Sequence, residues 1–324
     1  MAEGGPQDPG QALAQNPGSR LAASGLAPFL ALTVGAAFWG GTWPVARSLI
    51  EAVPPATLAF SRWAVAVVVL LPFTLLPLIR HRSDLRREFW RIAFISACGV
   101  AGFNALIFKG LHTTTAINGA LINAATPIYI VLLSLIGIGE KSRWKQIAGV
   151  AVSLPGLVLI ITRGSPERIL TMQLVEGDLW VAGAMFLWAL YNIYVRHWPT
   201  RVPPLAFITA TGAISLVLLA PFVVLEAMQG MEMRLTQGAL GGMIYLGVFA
   251  SVGSYIVWNF GVRRIGAGPA SLFQYLIPVF AAVFSVLLID ESVQGYHVIG
   301  AVLIVAGIWV ANARGLPWRR GRAT

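Results

Sequence analysis

The chain has 324 residues, 57% of them hydrophobic and only 11% charged, with a mean hydropathy of +0.74. Soluble domains carry about a quarter charged residues, so this composition excludes one and points to a polytopic membrane protein. The formal charge of +10 would suggest a nucleic-acid partner for a soluble chain, but here the charge follows the loops and no nucleic acid is implied.

Residues 1–25 are rich in Gly, Pro, Gln and Ala without apolar periodicity and read as a disordered tail, with no cleavable signal peptide. A bilayer core about 30 Å thick is crossed by about 20 helical residues. Runs of that order recur at 28–49, 57–79, 91–109, 116–138 and 145–162, and again at 178–196, 204–225, 239–260, 268–289 and 296–313. These are spans 1 to 10, followed by a basic tail at 314–324. The fold expected is an all-α membrane bundle of ten transmembrane helices.

With the N-terminus in the cytoplasm, one side collects Arg80, Arg82, Arg86, Arg87, Lys141, Arg143, Lys145, Arg263, Arg264, Arg319 and Arg320. Glu51, Glu176, Asp178, Glu226, Asp290 and Glu291 gather on the other. The positive-inside rule then places both termini in the cytoplasm. The single cysteine, Cys98, allows no intrachain disulfide.

A shift of 151 positions brings Leu121 onto Leu272, Pro127 onto Pro278, Ser134 onto Ser285, Glu140 onto Glu291, Gly149 onto Gly300 and Gly156 onto Gly307. Apolar matches mean little in such a chain, but a proline, a lone acid and two glycines in register mark an internal repeat. Its copies are residues 28–163 and 177–313. Five spans per copy invert the second relative to the first, the architecture of many alternating-access transporters.

Polar and aromatic residues mark possible functional faces. In spans 4 and 9, Pro127 and Pro278 supply no N–H, so the carbonyls of Asn123 and Gln274 should lose their helical partners. Asn123 and Thr126, like Ser271 and Gln274, share a helical stripe, which predicts two kinks beside a polar lining. The alternative is that these prolines only bend helices and the amides only bond between them. A shift of 149 places Trp39 on Trp188 and Trp43 on Asn192 in spans 1 and 6, with Thr42 and Tyr191 on the same faces. They read as aromatic walls for a ligand or as packing around Gly40 and Gly41. In spans 3 and 8, Asn104 and Phe108 correspond to Tyr255 and Asn259, and Gly102 and Gly110 to Gly253 and Gly261, where neighbouring helices can approach.

Arg62 is the basic residue clearly inside a span, with Thr211 in the equivalent position of the second copy. It could pair with Glu51, bind a substrate carboxylate, or snorkel outward. Glu140 and Glu291 close spans 4 and 9, where they suit the N-terminus of the next helix or a gate or proton site. There is no phosphate-binding loop, no His/Cys metal cluster, no Ser-His-Asp set at one depth and no paired acids within a span, so neither an enzyme nor a cofactor is expected.

These residues resemble the drug/metabolite transporter superfamily in its EamA-like ten-helix branch. The resemblance covers about residues 28–313 and rests on Ala120-Leu121 to Pro127, Glu140, Gly149 and Gly156, on the second copy Leu272, Pro278, Glu291, Gly300 and Gly307, on Phe38-Trp39-Gly40 and on Arg62. It implies two inverted five-helix repeats around a cavity lined by spans 3, 4, 8 and 9 with help from 1 and 6. It implies export of small metabolites, often amino acids, or toxic compounds, from a bacterial cell through its inner membrane. Unlike the small four-helix multidrug exporters, span 1 carries no mid-helix Glu, which leaves a coupling proton open. The expected reading is a secondary transporter of a small polar metabolite, with a drug exporter or uptake permease of the same fold as alternatives. A membrane-embedded lipid-modifying enzyme and a non-transporting scaffold are the alternatives of other classes.

Overall fold

The structure is a computed structural model that describes residues 25–49, 51–114, 122–123, 126–138, 144–165, 167, 170, 175–289 and 294–312. Span 1 forms α1 (Ala27–Gly40) and α2 (Thr42–Leu49), and span 2 forms α3 (Pro55–Arg80). After the short α4 (Arg82–Arg87), span 3 runs as α5 (Phe89–Ser96), a π-helical segment (Ala97–Gly102) and α6 (Phe103–Leu111). Span 4 is described chiefly as α7 (Thr126–Leu135) and span 5 as α8 (Trp144–Ile161). The second half contains α9 (Glu176–His197), α10 (Pro204–Met228) and α11 (Gln237–Gly247), which passes through a second π-helical segment (Val248–Gly253) into α12 (Ser254–Ile265). Span 9 consists of α13 (Ala267–Ser271), a 3-10 turn (Leu272–Tyr275) and α14 (Leu276–Ile289), and α15 (Gly295–Asn312) is span 10.

Seven of the described helices are long and apolar enough to cross a bilayer, and two further apolar stretches, Ala27–Gly40 and Ala267–Ala281, are shorter. The class is the expected one, and among the described residues spans 1 and 9 are interrupted. Span 1 breaks at Gly41, because Pro44 offers no N–H to the Gly40 carbonyl. The Tyr245 hydroxyl donates to the Phe38 carbonyl at 2.8 Å there and fills the space that a Gly41 Cβ would need. In span 9 the chain tightens before Pro278, and α14 restarts at Leu276, so Pro278 lies in a first turn where a missing N–H is tolerated. The mid-helix kink expected at Pro278 is therefore corrected to a 3-10 break before it. Pro127 is the second described residue of α7, and residues 124 and 125 lie outside the described ones.

The repeat is visible as paired contacts. α8 and α15 run antiparallel, with Gly149 against Gly307 and Gly156 against Gly300; a Cβ on any of the four would meet the facing carbonyl oxygen at 2.5–2.7 Å. Between them the Ser153 hydroxyl donates to the Ile304 carbonyl at 3.3 Å, and these two residues are equivalent under the 151 shift. A position that meets its own equivalent, flanked by crossed pairs, marks a pseudo-twofold axis through this helix pair. The same symmetry packs Leu32 on Gly261 and Val181 on Gly110, and Phe38 on Gly253 and Leu187 on Gly102. Without side chains at these glycines the helices approach closely enough for dispersion to hold them, which is what packs helices in lipid.

The cap of α3 departs from the symmetry. Pro54, at the N-cap of α3, has no side chain that can cap. Glu226, from the end of α10, takes that role, accepting from the Ala56 and Thr57 N–H groups at 2.7 and 2.8 Å and from the Thr57 hydroxyl at 2.9 Å. Glu226 is buried, so Glu226→Ala strands two backbone donors and is expected to cost about 1–3 kcal/mol. A lowered thermal midpoint in detergent checks this, and an unchanged midpoint contradicts it.

Candidate functional site

The two π-helical segments fall at equivalent positions, 97–102 and 248–253, and sit at the centre of spans 3 and 8. A π turn shifts the hydrogen-bond ladder and exposes carbonyls, a feature frequent at functional sites. The equivalent carbonyls of Gly99 and Ala250 are both used. The Tyr255 hydroxyl donates to Gly99 at 2.6 Å. Ala250 accepts from Trp39 Nε1 at 3.0 Å and from Arg62 Nη2 at 2.5 Å. Tyr191 lies against Gly99 so closely that a Cβ there would fall 1.9 Å from its ring.

Arg62 is only 3% exposed. Its Nε donates to the Ser251 hydroxyl at 2.6 Å and its Nη1 to Asn104 Oδ1 at 2.8 Å. Asn104 is itself fixed by its Nδ2, which donates to the Val100 carbonyl at 2.6 Å. Every partner of the guanidinium is neutral. Among the described residues Arg62 makes no ion pair with Glu51, and its burial leaves no outward snorkelling. A guanidinium has five N–H donors, and three are engaged here.

Arg62 forms part of the wall of a cavity of about 60 Å³ between the two halves. The other walls are Trp39, Thr42, Phe103, Asn104, Phe108, Asn123, Met185, Trp188, Gln274 and Ile277, with Ala46, Ile107 and Leu111. Trp39 and Trp188, equivalent under the 149 shift, meet edge to face with ring centroids 5.4 Å apart, and Trp188 stacks on Tyr191 at 4.9 Å. Two buried polar atoms at this wall, Thr42 Oγ1 and Gln274 Nε2, have no hydrogen-bond partner. Such groups carry the full desolvation cost until an acceptor or donor reaches them. The space combines a cation at one wall, free amide and hydroxyl groups, and aromatic faces.

Of the residues singled out in the sequence, Trp39, Arg62, Asn104, Asn123, Trp188 and Gln274 meet at this cavity. Thr126 stands behind it, donating to the Asn123 carbonyl at 3.0 Å and lying 3.4 Å from Met185 Sδ. Tyr191, Asn192, Tyr255 and Asn259 do not line it; they form a bonded layer around it. The Tyr191 hydroxyl donates to Asn259 Oδ1 at 2.7 Å. Asn192 takes the Trp258 indole N–H at 2.7 Å and gives its own Nδ2 to the Trp188 carbonyl at 2.7 Å. The Trp43 side chain, Glu140 and Glu291 lie outside the described residues. Ser251, Trp258, Phe103 and Met185 were not anticipated, although Trp258 follows Tyr255 by one helical turn and could have been found by that spacing.

A family model described as the EamA-like transporter family matches residues 26–162 and 175–313. The chain is 31% identical to the uncharacterized transporter YyaM of Bacillus subtilis (strain 168), over 85% of this chain and 90% of that one. It is 28% identical to a probable terminal-alkyne amino-acid exporter of Streptantibioticus cattleyicolor, over 91% of this chain and 96% of that one. It is 24% identical to a probable amino-acid metabolite efflux pump of Escherichia coli (strain K12), over 87% and 93% of the two chains. A solved crystal structure of a protein 24% identical superposes with a TM-score of 0.72, covering 90% of this chain and all of that one.

Proposed function

The chain belongs to the EamA-like transporter family, and from that premise we propose that it is a secondary transporter. It exports a small polar metabolite with a carboxylate, such as an amino acid, across the inner membrane by alternating access. The observation that carries this reading is Arg62, a buried cation at the wall of a central cavity with neutral partners alone. A buried cation costs about 2.5–3.5 kcal/mol at the centre of a helix in a membrane. Three hydrogen bonds offset part of that, and a carboxylate arriving at the two remaining N–H groups would offset more. The aromatic faces of Trp39 and Trp188 would receive the rest of the solute, including an ammonium group by cation–π attraction.

A volume of about 60 Å³ holds little more than a few waters, so the solute enters only when the walls part. The two repeats would rock about the axis at Ser153 and Ile304, where glycine contacts are tight and bonds few. Both termini would face the cytoplasm, by the distribution of Lys and Arg. Export, rather than uptake, is favoured by the names of the relatives.

Solute counterflow in proteoliposomes tests this, with labelled amino acids, their uncharged esters and cationic drugs as the panel, with and without a pH gradient. Saturable exchange of carboxylate-bearing solutes is expected. Exchange of cationic drugs alone would favour the drug-export alternative, and no exchange by folded protein would overturn transport. In the same assay, Asn123→Leu and Gln274→Leu each remove an amide from the cavity wall and are expected to lower exchange about tenfold or more while leaving insertion intact. Normal exchange in both would remove those amides from the site.

A further inference from the structure

A second opening lies away from the central cavity. Between α1, α10 and α12 runs a groove of about 370 Å³, far roomier than the cavity at Arg62. Its walls are almost wholly carbon, from Ala31, Phe207, Ile208, Ile256, Val257 and Phe260. It opens at the exposed residues Pro204 and Arg264. α10 begins at Pro204 and α12 ends at Ile265, so this mouth sits where two membrane-crossing helices reach the interface.

The mouth is cationic. The Arg263 guanidinium lies over the Phe207 ring at 5.4 Å and that of Arg264 over the Phe260 ring at 5.1 Å. Among the described residues no carboxylate pairs with Arg263 or Arg264. Two donors in the groove lining are buried and unpartnered: Arg263 Nε, and Nδ2 of Asn259, which is 7% exposed. The Asn259 amide is oriented by its Oδ1, which accepts from Tyr191.

An apolar slot of this size, with paired guanidinium groups at its mouth and unused donors within, matches one kind of molecule in a bilayer. A soluble anion would satisfy the arginines but leave the slot empty; a zwitterionic lipid would fill the slot but bring its own cation to the mouth. We propose that the groove between α1, α10 and α12 is a binding site for an anionic phospholipid, with an acyl chain in the slot and the phosphodiester at Arg263, Arg264 and Asn259. On the orientation proposed above, the lipid belongs to the cytoplasmic leaflet, where anionic headgroups meet basic residues; binding itself does not depend on that orientation. Asn259 bonds to Tyr191, which stacks on Trp188, so the site also touches the frame of the central cavity.

Native mass spectrometry of the full chain, titrated with phosphatidylglycerol or phosphatidylcholine, tests the proposal. Phosphatidylglycerol is expected to bind about tenfold more tightly, and the double variant Arg263→Gln, Arg264→Gln to bring it down to the level of phosphatidylcholine. Ala31→Trp fills the slot and leaves the arginines in place, so it tests the site even if the double variant fails to fold; it is expected to weaken phosphatidylglycerol about fivefold or more. Inorganic phosphate in excess should not compete. Equal binding of the two lipids, indifference to both variants, or displacement by inorganic phosphate would each overturn it, the last by revealing a site for a free anion.

Discussion

Arg62→Ala is expected to lower counterflow of carboxylate-bearing solutes about 30-fold or more while the protein still inserts and folds. The magnitude follows from removing one partner of a desolvated, hydrogen-bonded charge pair, which costs about 2–5 kcal/mol. Folding should survive because the variant also sheds the cost of a buried cation. The groups left behind keep other bonds: the Ser251 hydroxyl donates to Leu246 at 2.8 Å, Asn104 Nδ2 still holds Val100, and Ala250 still receives Trp39. Arg62→Lys keeps the charge but loses the planar fork that reaches Ser251, Asn104 and Ala250 together, so an intermediate loss is expected. The uncharged ester is the internal control. If acid and ester suffer alike, Arg62 is part of the frame and does not contact the solute.

Gly307→Val should have the largest effect on folding. Its Cβ would lie 2.5 Å from the Gly149 carbonyl oxygen and 2.7 Å from the Ser153 nitrogen. Both are backbone atoms, so no rotamer change relieves the clash and α8 must move off α15. Overpacking of this kind costs about 1–3 kcal/mol or more, and here it strikes the pair through which the symmetry axis passes. The expected result is a strong loss of monodisperse protein on size exclusion. Gly156→Val should behave alike, since its Cβ meets the Gly300 carbonyl oxygen at 2.6 Å. Gly241→Ala is the contrast: nothing lies within 4 Å of its Cβ, and alanine is the better helix former, so stability should hold or rise slightly.

The bundle and its repeat were legible because both are written in punctuation. Apolar runs set the spans, and Gly149, Gly156, Gly300 and Gly307 align in sequence for the same reason that they touch in space. The cavity was half legible. A helical wheel gives the direction of a side chain but not its partner, so Asn192 and Asn259 stood on promising faces although Trp258 and Tyr191 already engage them. The π-helical segments left no signal, because the shift in their ladder demands no particular residue. Arg62 was recognised as exceptional, yet its partners, Asn104, Ala250 and Ser251, come from spans 3 and 8 and include a backbone carbonyl, which no sequence pattern reports. The cap on α3 was hidden for a similar reason: Glu226 is 170 residues away from Ala56.

The most direct test is whether one residue of the central cavity can be reached from both sides of the membrane. Thr42→Cys in a Cys98→Ser background places the sole thiol on the cavity wall. A membrane-impermeant maleimide is then applied to proteoliposomes from outside or trapped inside, with and without a transported amino acid. Alternating access through this cavity predicts labelling from either side, slowed severalfold by the solute from both. Labelling from one side only, or labelling that the solute leaves untouched, would contradict it.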